Sequence, residues 1–121
     1  MAFLQLLLYV LNSTLLIVHE IDSAYWKEWE LFNIPGGISG FLLLHVPLVM
    51  LLLYGVVEVN LGTRLGYAIN IFVALAGVFA FSIHSYFIRA GNNQFKTMTS
   101  QALLYSILVT SILQLILTMK A

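Results

Sequence analysis

Three histidines, His19, His45 and His84, stand out in a chain that carries only five acidic and five basic side chains among 121 residues. His19 runs directly into Glu20, and Asp22 follows three positions after the histidine. Where no thiolate is present, imidazole and carboxylate are the usual ligands for zinc, iron, nickel or manganese, and this sequence has no cysteine. A set drawn from His19, Glu20, His45 and His84 would leave coordination positions open to water or substrate, which marks a catalytic rather than a structural metal centre. Glu20 sits about 100° around a helix from His19, so it serves as a ligand only where the helix loosens, and otherwise as a base. Asp22, at i+3 from His19, shares its face and would orient that imidazole. The His-Glu pair has no second histidine four residues on, so it is not the zinc-protease helix motif.

The elements that must position these groups follow from composition. The chain is 61% hydrophobic and 8% charged, with a mean hydropathy of +0.99, values outside the range of soluble domains. A membrane span takes about 20 residues, which leaves room for four spans, short connections and no extramembrane domain. The apolar runs place them at 3–19, 38–57, 65–88 and 102–119 of a single membrane domain, 1–121. The first run lacks the basic start and small-residue cleavage site of a secretory signal and reads as a span. Residues 20–34 alternate Tyr25, Trp26, Trp29 and Phe32 with Lys27, Glu28 and Glu30, the pattern of an interfacial helix whose aromatic rings lie at headgroup level. Pro35-Gly36-Gly37 ends it. Pro47 falls inside the second span, and Gly66 and Gly77 give the third the small positions that let a neighbour approach. The expected fold is therefore all-α: a four-transmembrane-helix antiparallel bundle with a short interfacial helix between spans 1 and 2.

That topology gathers the histidines. Odd spans run from one face, A, to the other, B, and even spans return. His19 closes the first span, His45 lies seven residues into the second and His84 comes five residues before Arg89, so all three fall within about 10 Å of depth near face B. Gln101 and Tyr105 begin the fourth span in the same layer and, with Asp22, are expected to support the ligands through hydrogen bonds. Ionisable groups in a membrane are costly and point to function. The chemistry that unites them is that of a divalent transition metal, zinc or iron, in a membrane enzyme of hydrolytic or redox type. Its substrate would be lipid-like or otherwise apolar and arrive laterally, with Glu20 taking the proton from metal-activated water.

Two other classes fit the same residues. His45 and His84, on neighbouring spans at similar depth, could be the axial pair of a b-type haem in a haem- or quinone-binding anchor subunit, with Gly77 relieving crowding. Alternatively Asn12, Asn70, Gln101 and Gln114 line a polar path, or join helices or protomers, in a small transporter, a homo-oligomer or a partner subunit. Taken singly, each histidine and each amide is explained by hydrogen bonding across a helix pair. The scattered basic residues offer no surface for nucleic acid.

His19-Glu20-Ile21-Asp22, followed by Tyr25-Trp26-Lys27-Glu28-Trp29-Glu30, resembles the start of small uncharacterised prokaryotic membrane families with an early histidine-acid motif, of which the HXXEE-type family is one. That family's acids fall third and fourth after the histidine, and here they fall first and third. The resemblance implies architecture and no mechanism. Lys27, Arg89 and Lys96 on face B against Arg64 and Lys120 on face A place B in the cytoplasm by the positive-inside rule. The helical spans suit a prokaryotic inner membrane.

Overall fold

A computed structural model describes residues 2–120. Four long helices are joined in series: α1 (Ala2–Tyr25), then a short α2 (Glu28–Leu31), α3 (Gly37–Leu61), α4 (Arg64–Arg89) and α5 (Met98–Lys120). All four long helices have the length and apolarity to cross a membrane, and the protein is an all-α integral membrane bundle with no strand among the described residues. Around the bundle the order is α1, α3, α4, α5. Each packs on its neighbours, α1 and α4 also touch across the diagonal, and α3 and α5 do not meet. Large apolar side chains such as Leu43, Met50, Phe79 and Val109 point outward, as a hydrocarbon solvent allows.

Local chemistry sets the helix ends. α3 stops at Gly62, whose left-handed φ of 70° lets its N–H reach back to Glu58 and Val59. Thr63 then caps α4, its hydroxyl accepting from the Gly66 N–H at 2.9 Å. Thr97 caps α5 in the same way, accepting from the Ser100 N–H at 3.1 Å. α1 runs past residue 19 to Tyr25, and the chain turns at Lys27, φ 55°. The reversal lays the four-residue α2 back against the bundle end, where Trp29 packs against Phe41 with ring centroids 5.5 Å apart. α3 continues unbroken through Pro47.

Near mid-depth an amide network locks α1, α4 and α5. Asn12 Nδ2 donates to Gln114 Oε1 at 2.7 Å and to Ser111 Oγ at 3.0 Å. Gln114 Nε2 donates to the Asn70 carbonyl at 3.1 Å and also to the Asn70 side chain. In lipid, such bonds and the close approach of small residues replace the hydrophobic effect as the attraction between helices. Gly77 supplies the close approach, because a Cβ there would overlap the Ser111 hydroxyl. The amides Asn12, Asn70 and Gln114 thus hold one another across helices, whereas Gln101 lies apart from them, bonding the Phe95 carbonyl.

Candidate metal centre

The end of the bundle formed by the C-termini of α1 and α4 and the N-termini of α3 and α5 collects the histidines, and there the side chains sort into two units. The first joins His19, His84 and Glu28. One ligand atom of each lies within 4.8 Å of the others, the one such group among the described residues. The His19 and His84 rings meet edge to face with centroids 4.6 Å apart. His84 Nε2 is 3.1 Å from Glu28 Oε2, and its Nδ1 is 2.7 Å from the Ala80 carbonyl one turn earlier. The second unit repeats this pattern on α3. His45 Nδ1 lies 2.6 Å from the Phe41 carbonyl, and its Nε2 contacts the Glu20 carboxylate.

The ligand set expected from sequence is therefore redrawn. His19 and His84 come together, but Glu20 and His45 form their own pair and the third candidate ligand atom comes from Glu28. The reason is rotational: adjacent residues on a helix diverge by about 100°, so Glu20 turns from His19 toward α3. Glu28 arrives because the Lys27 turn folds α2 over the bundle end. Its only sequence signal was its place in the acidic interfacial segment, where alternation with aromatics suggests a solvated face. Burial works against ionisation of Glu28, but the hydrogen bond from His84 and the nearby imidazoles outweigh it and hold the carboxyl below its ordinary value.

The supporting residues are redistributed too. Asp22 accepts from Trp26 Nε1 at 2.9 Å on its own helix, rather than from an imidazole. Tyr105 points outward and packs on Phe81. Gln101 supports the site at one remove: it donates to the Phe95 carbonyl at 3.4 Å, and Phe95 covers both imidazoles, 4.4 Å from the His84 ring and 5.5 Å from that of His19. Phe95 is 1% exposed and takes a φ of 65°, a left-handed conformation that is strained for a bulky residue. Sequence reading missed Phe95, which offers no motif.

His19 is the anomaly. It is fully buried, and neither ring nitrogen has a hydrogen-bond partner among the described residues. Buried polar atoms are paired in the great majority of cases, so an imidazole with neither nitrogen bonded is open to a bound ion or water. His84 adds a second sign: both its nitrogens face acceptors, an arrangement that suits either a doubly protonated ring or a cation between Nε2 and the carboxylate. A tetrahedral centre with bonds of about 2.0–2.1 Å spaces its ligands by roughly 3.3 Å, so the trio would close with shifts of under about 1 Å at each side chain. The two histidines of the haem alternative fall into separate units, His45 with Glu20 and His84 with Glu28.

The trio opens on a cavity of about 370 Å³ between α3 and α4, walled by apolar side chains and reached at its polar end by Glu20 as well. No curated protein and no solved structure matches the chain. A family model does match, over residues 5–121; it agrees with the expectation of an uncharacterised family and is silent on the early histidine-acid motif. The chain belongs to DUF6713, a family of unknown function.

Proposed function

We propose that this protein binds a divalent transition metal, zinc or iron, through His19, His84 and Glu28, and that the metal serves an enzyme acting on a lipid-like substrate. The observation that carries the reading is the buried, unpartnered His19 imidazole set within 4.8 Å of two further ligand atoms. Three protein ligands leave an open position, the condition for catalysis rather than for structure alone. Glu20 lines the same cavity and, tied to His45, is the group suited to accept a proton; the pair replaces the lone carboxylate base expected from sequence. In the hydrolytic form a bound metal would lower the pKa of water to about 7 and Glu20 would take the proton. In the redox form the same ligands, two histidines and one carboxylate, match a common set for non-haem iron. The proposed setting is a prokaryotic inner membrane with the histidine end toward the cytoplasm.

Elemental analysis of the purified protein beside a His19→Ala, His84→Ala variant tests this. About one metal per chain, lost in the variant, is the expected result. Absence of metal from both after exposure to zinc and to ferrous iron would reduce the imidazoles to helix-packing groups.

A further inference from the structure

The cavity between α3 and α4 has a shape that narrows what can occupy it. Phe72, Ala76, Phe79 and Ile83 line it from α4 at the i, i+4, i+7, i+11 spacing of one helix face. From Phe72 to His84 the wall is about 18 Å long, more than half of the roughly 30 Å hydrocarbon layer. Leu48 and Leu51 face it from α3, and the charged and imidazole groups His19, Glu20, Glu28 and His84 gather at one end. Phe72 and Phe79 on its rim are 55% and 64% exposed, so in a membrane the opening faces lipid rather than water. The small side chains of Ala76 and Ala80, also in the lining, leave the depth of the trough.

Resting on the metal reading above, we infer that this trough seats one apolar chain bearing an uncharged, oxygen-containing head: a fatty alcohol, ester or amide. Size sets the chain number. At about 30 Å³ for a water-sized group, a cavity of 370 Å³ takes roughly a dozen chain atoms, and such a chain is about as long as the trough. A second tail would lie outside it, among the surrounding lipids. Charge sets the head. A divalent metal would balance the two carboxylates of the lining, Glu20 and Glu28, and no lysine or arginine lines it among the described residues, so a phosphate or carboxylate head would add a net buried negative charge that nothing there offsets. A cationic head would be opposed by the metal. A neutral hydroxyl or carbonyl satisfies both constraints, and its oxygen would lie at the level of His84 with the tail directed toward mid-membrane.

The test uses the full chain in phosphatidylcholine nanodiscs at neutral pH, with a diazirine-bearing tetradecanol as photoprobe. Labelled peptides are mapped by mass spectrometry, and metal is measured on the same samples. Expected are labels on the cavity faces of α3 and α4, displaced by plain tetradecanol far better than by tetradecanoate or lysophosphatidylglycerol. Ala76→Trp and Leu51→Trp fill the trough from opposite walls and should each cut labelling by about fivefold or more; two variants guard against one that misfolds. Labels spread over outward helix faces, or equal displacement by the anionic competitors, would overturn the inference. Metal present without trough labelling defeats this proposal alone, whereas trough labelling with no metal in any sample defeats the metal reading and leaves the chain seat standing.

Discussion

Replacing Glu20 and Glu28 one at a time separates the proposed trio of His19, His84 and Glu28 from the ligand set the sequence suggests. Glu28→Gln keeps the side chain's size and a hydrogen bond to His84, whose Nε2 lies 3.1 Å from Glu28 Oε2, but removes the anionic ligand. Zinc held by four protein ligands in small peptides is bound by about 10–16 kcal/mol, or about 3 kcal/mol per ligand, and each 1.4 kcal/mol is tenfold, so Kd should rise about 100-fold. Glu20→Gln alters a residue whose partner is His45, outside the trio. It removes no ligand of the trio, so it should raise metal Kd less than Glu28→Gln does. The assay is competition against a chromogenic chelator, with both variants and the parent in the same detergent and circular dichroism to confirm equal helicity. The reasoning is refuted if Glu20→Gln costs as much affinity as Glu28→Gln, since the ligand would then be the residue next to His19 after all.

Other predictions follow from the packing. Phe95→Ala removes a fully buried ring from the faces of His19 and His84; a loss of about 3 kcal/mol in stability and faster metal exchange in a stopped-flow chelation experiment are expected. Gly77→Ala puts a methyl onto the Ser111 hydroxyl and 3.1 Å from Ile107 Cγ2, which should cost about 1–3 kcal/mol in a denaturant titration, with partial recovery on adding Ser111→Gly. Gln114→Leu strands Asn12 and Asn70, its partners on α1 and α4; at about 0.6 kcal/mol per interhelical bond, reaching 1.7, the expected loss is about 1–3 kcal/mol with metal affinity unchanged. Zinc at 100 times its Kd should stabilise the fold by about 2.7 kcal/mol, seen as a rise in melting temperature that the His19→Ala, His84→Ala variant lacks.

The four spans and their antiparallel order were legible in the sequence because hydrocarbon demands runs of about 20 apolar residues whatever packs on them. Depth was legible for the same reason: once the spans alternate direction, the rise per residue puts His19, His45 and His84 in one layer. Angle was not. Whether Glu20 faces His19's partners or His45 depends on how α1 is rotated against α3, and a step of about 100° per residue turns one position into a different neighbourhood. Rotation is settled by contacts distant in sequence, such as the Tyr9 hydroxyl donating to the Leu52 carbonyl at 2.8 Å and the Asn12–Gln114 bond. Glu28 and Phe95 joined the site through backbone reversals at Lys27 and Phe95 itself, both at left-handed φ in residue types that do not announce it. Sequence alone therefore determined which groups share a depth in the membrane, and tertiary packing decided which of them touch, because hydropathy acts along the membrane normal and is blind to rotation about it.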